Sequence, residues 1–180
     1  MGLAAGSPLE LLRQLDRLGR DHQAELPSRE EHGEQWTGVG FRLGAQHFVS
    51  SMGEVSELLK YPELSPVPRT RHWVRGLANV RGNLLPVMDL NSYLGGPITG
   101  LTRSSRVLVI DVSGIVTGLL VDEVFGMRQF PEADRSTAVD GVEDYIAPYV
   151  SGQFNSDGDR WFLFSMKALV ENPQFLQVTG

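Results

Sequence analysis

Residues 73–90 read WVRGLANVRGNLLPVMDL. Gly76 and Gly82 interrupt this stretch, and a glycine at such a place either supplies a positive φ or lets another backbone approach closely. We favour a structural role for both glycines, which predicts a packed turn. Residues 84–90 then form an apolar run with Pro86 inside it. Because proline cannot donate a hydrogen bond to a ladder, we expect this strand at a sheet edge or at a bulge.

Strand signals dominate the chain from Trp36 onward. Three pairs of β-rich segments flank close turns, and each pair predicts a hairpin. The pairs are residues 41–43 with 47–49, residues 106–112 with 115–124 around Ser113-Gly114, and residues 149–154 with 160–165 around 155–159. Many short strands with close turns predict a mainly β protein, built from small antiparallel sheets in barrels or sandwiches.

Short helices are predicted at three places in the same region. Residues 53–60 carry three apolar side chains at helical spacing and stop before a Tyr-Pro pair, which favours a short helix or turn. Asp89 can cap a helical turn that ends at Gly95-Gly96. Residues 166–170 have a helix-like composition near the end of the chain.

The first 35 residues are predicted to form a separate leader. Residues 7–10 (SPLE) are a capping sequence for a helix start. Leu11, Leu15 and Leu18 give the following helix one apolar stripe, and residues 19–35 are polar and read as a linker. The predicted organisation is an N-terminal helix and linker (1–35), a main domain (36–171) and a C-terminal tail (172–180).

The charge balance argues against two classes of partner. The 180 residues include 22 acidic and 16 basic side chains, a net charge of -6, so no general field draws the protein to nucleic acid or to an anionic membrane. Cysteine is absent, which excludes disulfides and thiolate metal sites and fits a reducing cytoplasm. The apolar runs are far shorter than the roughly 20 residues of a spanning helix. We expect no nucleic-acid binding and no direct insertion into a membrane.

No arrangement of residues predicts a catalytic or cofactor site. The four histidines are scattered, without the spacing of a metal-binding helix. Residues 155–159 lack the later glutamate of a calcium loop, so a hairpin turn is the better interpretation. Residues 38–40 (GVG) precede a strand rather than the helix that a phosphate site needs, and Asp122 and Glu123 point to opposite faces of one strand. We predict no metal, no cofactor and no enzymatic activity.

One basic stretch leaves an alternative open. Arg69, Arg71, Arg75 and Arg81 lie close together around Trp73. They could serve a small β-barrel module that binds a ligand or single-stranded nucleic acid. No series of aromatic residues accompanies them, however, and arginine is equally suited to bidentate contacts with protein. Protein contact is therefore the preferred interpretation.

Residues 73–90 resemble the signature of CheW-like domains. That signature begins with a hydrophobic residue, a basic residue and a glycine, followed by two further residues. Next come asparagine, a hydrophobic residue, arginine and glycine, and then a strand that contains proline and ends in Asp-Leu. Residues 118–124 (GLLVDEV) and 149–152 (YVSG) resemble two later elements of the same family. The resemblance covers about residues 36–171. It implies a CheW-like fold of two small five-stranded SH3-like β-barrels, with a few short helices, packed through a shared core.

The resemblance also implies a function, which the pattern of predicted strands alone does not indicate. A CheW-like adaptor is a non-catalytic scaffold that couples the cytoplasmic tip of a chemoreceptor to the regulatory domain of a CheA-type histidine kinase. Such an adaptor is cytoplasmic and lies at receptor arrays beneath the inner membrane. The helical leader and residues 124–127 (VFGM) are most similar to adaptors of the chemosensory system that controls type IV pili and twitching motility.

A receptor-binding site is implied position by position. Its residues in this sequence are Val55, Glu57, Gly76, Val80, Arg81, Gly118, Val124 and Met127. Apolar members would anchor a receptor helix in a groove between the barrels, with Glu57 and Arg81 on the rim, although each apolar residue taken singly is better explained by core packing. Arg81 could hold a partner's carboxylate or an internal one. Both roles stay open from the residues alone, and the resemblance favours binding.

Overall fold

The computed structural model describes residues 33–178, so the predicted leader helix and most of its linker lie outside the described residues. The described part contains eleven strands: β1 Gln35–Leu43, β2 Gln46–Ser51, β3 Val55–Lys60, β4 Leu64–Ser65, β5 Val74–Val80, β6 Asn83–Asp89, β7 Arg106–Val112, β8 Ile115–Val121, β9 Glu123–Pro131, β10 Val150–Ser156 and β11 Asp159–Phe164. It also contains three short α-helices: α1 Leu90–Tyr93, α2 Met166–Glu171 and α3 Pro173–Leu176. The prediction of a mainly β protein with a few short helices is confirmed.

The strands form two sheets. The five-stranded sheet has the order β10-β11-β2-β1-β9, and the six-stranded sheet has the order β3-β7-β8-β6-β5-β4. Most neighbours are antiparallel, but β11 runs parallel to β2 and β6 runs parallel to β8. The resemblance implies five strands in each barrel. The second sheet has one strand more, β4, which has only two residues.

Three apolar cores explain why the strands are so uniformly hydrophobic. In β7, Val107 and Val109 face a core enclosed by the six-stranded sheet, while Leu108 and Ile110 face a core shared by both sheets. A third core, around Phe130 and other aromatic residues, belongs to the five-stranded sheet. Strands buried on both faces are apolar throughout rather than alternating. The shared core joins the two sheets, and Phe175 of the predicted tail is buried in it.

The three predicted hairpins are all present. Gly44-Ala45 joins β1 to β2, and Ser113-Gly114 joins β7 to β8 with both residues at positive φ (54° and 79°). Asp157 and Gly158 join β10 to β11 in the same way, with φ values of 52° and 81°. Two consecutive residues at positive φ form the turn whose twist matches that of paired strands. The turn chemistry of the sequence therefore located these hairpins.

The short helix or turn expected over residues 53–60 is wrong for residues 55–60, which form strand β3, whereas residues 53–54 lie in a turn before it. Strand β3 pairs antiparallel with β7, and the register shifts between Val55 and Glu57. At the bulge, Val55 faces the shared core. After the bulge, Leu59 faces the core of the six-stranded sheet. Three apolar residues in a short segment do not distinguish a helix from a bulged strand. Pairing with a distant strand decided the conformation.

The expected edge position of the Pro86 strand is also wrong. Strand β6 lies inside the six-stranded sheet, between β8 and β5. Its parallel ladder with β8 begins only at Val87, so Pro86 lies just outside that ladder. The bulge of the β5–β6 pair lies on β5, between Val74 and Gly76. Proline is tolerated here because the β6–β8 ladder needs no backbone N–H donor at that position.

Two carboxylates fix the ends of short helices. Asp89 caps α1 as predicted, accepting a hydrogen bond from the Ser92 backbone N–H at 3.2 Å. Helix α2 begins where the sequence placed it, and the Ser165 side chain caps it. Glu54 accepts from the Met166 N–H at 3.1 Å and from the Ser50 hydroxyl at 2.9 Å. Both carboxylates are thus structural.

We predict that residues 1–34 are dispensable for folding. The first described side chain with a large core contact is Trp36, whose ring centroid lies 5.3 Å from that of Phe154. A chain that begins at Gln35 is expected to unfold cooperatively, with a urea midpoint close to that of the full chain. A chain that begins at Gly38 lacks Trp36 and should unfold at lower urea. A non-cooperative or insoluble Gln35 chain would assign the leader to the folded core.

Candidate partner-binding surfaces

A shallow groove of about 200 Å³ opens at one end of the six-stranded sheet. We call it the mouth surface; its lining includes Ser56, Glu57, Val80, Arg81, Leu84, Leu85 and Val116. Leu84 is 70% exposed, and Val116 is also exposed. Clustered apolar side chains with a charged rim are the usual composition of a protein-binding surface. Three of the eight predicted receptor-binding residues, Glu57, Val80 and Arg81, meet here.

Arg81 forms an ion pair with Glu57 across this surface, through its Nη2 and the Glu57 Oε1. The Arg81 side chain is 74% exposed and that of Glu57 is 31% exposed. The sequence left open whether Arg81 meets a partner or an internal carboxylate. The pair is internal to the chain, yet it lies at the surface rather than in the core. Exposed pairs of this kind contribute about 0 to 1 kcal/mol, so its stabilising role is small.

The backbone holds Arg81 in an unusual conformation. Arg81 has a φ of 51° and Gly82 a φ of 83°, which makes them the central pair of the β5–β6 hairpin. The Gly82 N–H donates to the Asn79 Oδ1 at 3.0 Å and stabilises the turn. Gly82 is the expected residue for such a position, whereas a non-glycine residue at positive φ is uncommon. From this turn the Arg81 side chain reaches Glu57 on β3.

A second groove, of about 330 Å³, lies between the two sheets. We call it the inter-sheet groove; it is lined by Leu58, Leu59, Lys60, Arg106, Val124, Phe125 and Gly126. Val124 packs against the shared core, as part of the wall contributed by β9. Met127 follows one residue beyond this wall and is 63% exposed. Val124 is the predicted site residue that the structure places in this groove.

The remaining predicted site residues are enclosed by their own chain. Gly76 is buried with a φ of 141°, and a Cβ there would lie 2.5 Å from the Ser65 carbonyl oxygen. Gly118 is buried inside the six-stranded sheet, and Val55 is half-buried against the shared core. The eight residues therefore do not form one continuous contact face. Three lie at the mouth surface, one lies in the inter-sheet groove and three are enclosed by the chain, while Met127 is exposed outside both surfaces.

Gly118→Ala is expected to destabilise the protein by about 1.5 kcal/mol, because overpacking a core typically costs about 1 to 3 kcal/mol. A Cβ at this position would lie 2.7 Å from the Val107 Cγ1 and 3.2 Å from the Leu85 Cδ2. Gly53→Ala is the matched control, since a Cβ there meets nothing within 4 Å. Urea midpoints of the two variants compare the sites. An unchanged Gly118→Ala midpoint would contradict the packing role.

Sequence reasoning missed most of the residues that line these surfaces. Leu58, Leu84 and Val116 are apolar side chains on strands and look like core residues until the sheet order is known. Lys60 and Arg106 are far apart in the chain but are cross-strand partners. No local pattern identifies such residues, because their exposure depends on which strands pair.

Several ionisable groups among residues 33–178 take part in structural contacts. Among residues 33–178, no three His, Cys, Asp or Glu side chains are grouped so that they could hold a metal ion. The Asp122 carboxylate accepts from the Gly44 N–H at 2.8 Å, and Glu123 pairs with Arg42 at 3.3 Å. Burial raises the pKa of Tyr93, and its hydrogen bond with Tyr149 adds to the effect. These interactions connect structural elements.

The arginine-rich stretch is partly used within the protein. The Arg71 guanidinium lies 5.9 Å from the ring centroid of Trp73, within the range of a cation–π interaction. Trp73 in turn packs edge-on against Tyr93, with ring centroids 5.3 Å apart. Arg81 pairs with Glu57. Trp73 is therefore engaged in packing rather than presented as an open stacking platform.

Comparison with known proteins identifies the family. A family model for the CheW-like domain matches residues 37–174, and the chain belongs to that family. The protein PilI of Pseudomonas aeruginosa is 41% identical over 172 residues, which cover 96% of each chain. The chemotaxis protein CheW of Rhizobium meliloti is 28% identical over 120 residues, covering 67% of this chain and 77% of its own. The predicted membership of the CheW-like family is confirmed.

A solved structure shares the fold. The scaffolding protein TtCheW of Thermoanaerobacter tengcongensis superposes with a TM-score of 0.68, over 78% of this chain and 95% of its own, at 24% sequence identity. This agreement confirms the two-sheet CheW-like fold. In the part of the chain that the structure describes, no helix is long and apolar enough to cross a membrane.

Proposed function

We propose that this protein is a non-catalytic coupling adaptor that links a methyl-accepting chemoreceptor to a CheA-type histidine kinase. The observation that carries the proposal is the exposed Glu57–Arg81 pair beside the apolar mouth surface, in a chain that belongs to the CheW-like family. The receptor's cytoplasmic tip and the kinase's regulatory domain are the proposed partners. An adaptor of this kind acts by binding, so it needs no reacting group.

The arrangement of β3 supports a protein with two partners. Beyond its bulge, β3 directs Glu57 towards the mouth surface and Leu58 and Lys60 towards the inter-sheet groove. Successive residues of a strand point to opposite faces. The two surfaces thus lie on opposite sides of one edge strand. A partner bound at one surface leaves the other accessible.

The type IV pilus system is the proposed setting. The match to PilI extends over 96% of the chain and reaches into the first 35 residues, whereas the matches to the chemotaxis CheW proteins of Rhizobium meliloti and Thermotoga maritima cover 67% and 74%. We assign the leader to the function of the pilus branch on this basis. The proposed location is the cytoplasm, at receptor arrays beneath the inner membrane.

Co-purification tests the proposal directly. The full chain is mixed with the cytoplasmic fragment of a chemoreceptor and with the regulatory domain of a CheA-type kinase, both from the organism that encodes the chain. We expect each pair to co-elute and the three proteins to form one ternary complex. Failure to bind either partner would refute the coupling role. ATP hydrolysis by the purified chain would refute its non-catalytic part, and a shift of single-stranded DNA in a gel would favour the nucleic-acid alternative.

A further inference from the structure

Strand β3 carries side chains of both partner-binding surfaces, but its ladder holds it on one side only. It lies at the edge of the six-stranded sheet, so β7 is its one ladder partner in the part of the chain that the structure describes. The bulge between Val55 and Glu57 interrupts this ladder near its start, where the Ser56 hydroxyl donates to the Val109 carbonyl oxygen at 3.2 Å. Ahead of the bulge, Val55 is in register with Ile110. The ladder therefore restrains the first residues of β3 only weakly.

Glu54, directly before β3, restrains this end of the strand. Its Oε2 accepts from the Ser50 hydroxyl at 2.9 Å and from the Met166 N–H at 3.1 Å. Its backbone carbonyl oxygen accepts from the Asp111 N–H at 3.3 Å, and its own N–H donates to the Ser51 carbonyl oxygen at 3.0 Å. Ser50 belongs to β2 and Met166 begins α2, and both are buried. One half-buried glutamate thus ties the start of β3 to the five-stranded sheet, to a helix and to β7.

The two partner-binding surfaces begin immediately after this anchor. Glu57 follows Glu54 closely in the chain, lines the mouth surface and pairs with Arg81. The next residues, Leu58 and Lys60, line the inter-sheet groove. A displacement of the start of β3 would therefore move side chains at both surfaces at once. Glu54 lines neither surface, so its carboxylate acts on them through the strand.

We propose that Glu54 is a positioning residue for both partner-binding surfaces, because its carboxylate fixes the start of β3 and so holds Glu57 and Leu58 in the orientation that binds. The inference rests on the proposed function and gives a role to a residue outside the contact surfaces. A strand that spends part of its time displaced binds its partners more weakly, in proportion to the time it is displaced. Since both surfaces depend on the same strand, loss of the anchor should weaken both partners by the same factor.

Three substitutions of Glu54 test the proposal. Glu54→Ala removes the anchor and is expected to weaken binding of the receptor cytoplasmic fragment and of the kinase regulatory domain about fivefold each. Glu54→Asp is one methylene shorter, cannot reach both donors and should behave like the alanine variant. Glu54→Gln keeps a side-chain carbonyl oxygen whose two lone pairs can accept from both donors, so its affinities should lie within about twofold of those of the unaltered chain.

Two control variants separate positioning from a general loss of charge or stability. Glu132→Ala removes another half-buried glutamate, which pairs with Arg135 and lines neither surface. Leu163→Val removes one methylene from the core of the five-stranded sheet and lowers stability without changing the contacts of Glu54. Both controls should bind the two partners as tightly as the unaltered chain does.

Amide hydrogen exchange of the free chains measures the restraint on the strand itself. Exchange in β3, relative to exchange in β5 and β6, should accelerate in Glu54→Ala and Glu54→Asp, because the start of the strand opens more often. The same ratio should stay constant in Glu54→Gln and in both controls.

The outcomes distinguish this inference from the proposed function. If the unaltered chain fails to bind one of the partners, the proposed function is wrong and the inference falls with it. If it binds both partners and Glu54→Ala binds them as tightly as Glu132→Ala does, or loses only one of them, the coupling role stands and the positioning role is refuted. The positioning role is also refuted if Glu54→Gln does not restore binding. Equal losses for both partners, restored in Glu54→Gln and accompanied by faster exchange in β3, support it.

Discussion

Asp89→Ala is expected to lower the free energy of unfolding by about 3 kcal/mol, because it removes a fully buried carboxylate on which several hydrogen bonds converge. The Asp89 Oδ2 accepts from the Thr99 N–H at 2.8 Å, and its Oδ1 accepts from the Thr99 hydroxyl at 2.7 Å. The same Oδ1 also caps α1 through the Ser92 N–H. The loop after α1 is therefore attached to β6 through this one side chain.

Alanine would leave these donors buried without an acceptor. The Thr99 side chain is itself buried, so water cannot readily replace the carboxylate. Each unsatisfied buried donor costs about 1 to 3 kcal/mol, and a lost helix cap costs about 1 kcal/mol. These contributions share one site and are not additive. The expected loss of about 3 kcal/mol therefore lies at the lower end of their sum.

Equilibrium urea unfolding measures the effect. Asp111→Ala is the matched control, because Asp111 is an exposed aspartate on β7 and its removal should change stability by about 0.5 kcal/mol or less. Asp89→Asn keeps one acceptor oxygen and should fall between the wild type and Asp89→Ala. Equal midpoints for the Asp89→Ala and Asp111→Ala variants would show that the hydrogen-bond network contributes nothing to stability.

Local turn chemistry made much of the fold predictable. Ser113-Gly114 and residues 155–159 located two hairpins because a turn at positive φ depends on residues adjacent in sequence. Asp89 was recognised as a cap for the same reason. Strand β3 was mistaken for a helix because its conformation depends on pairing with β7, about fifty residues later in the chain. No local sequence pattern predicts that pairing.

The candidate site was predictable only in part. The resemblance pointed to Glu57 and Arg81, and these two side chains do meet at the surface. Gly118 was assigned to the groove, yet it faces the interior of the six-stranded sheet, because one residue of register decides which side of β8 it occupies. Lys60 and Arg106 became visible as a pair only through the β3–β7 register. Residue identity carries over between relatives more readily than the direction in which a side chain points.

Arg81→Ala is expected to weaken binding of the receptor fragment about thirtyfold, equal to about 2 kcal/mol, while changing the free energy of unfolding by about 0.5 kcal/mol or less. The guanidinium is mostly exposed, so the folded chain loses only a surface ion pair with Glu57. In the proposed complex the partner covers the mouth surface and removes water from this pair. A charge-assisted hydrogen bond to the partner is then worth more than the surface pair it supplements.

Arg69→Ala is the matched control for Arg81→Ala. Arg69 is also an exposed arginine at positive φ, 58° against 51° for Arg81, so both substitutions place alanine in the same strained backbone region. Arg81→Gly separates folding from binding, since glycine relieves the strain and should preserve or raise stability while still losing the guanidinium. Urea midpoints and receptor affinities are measured on all three variants. The proposed role is wrong if the Arg81 variants bind the receptor as tightly as Arg69→Ala does, or if their loss of binding only parallels a loss of stability.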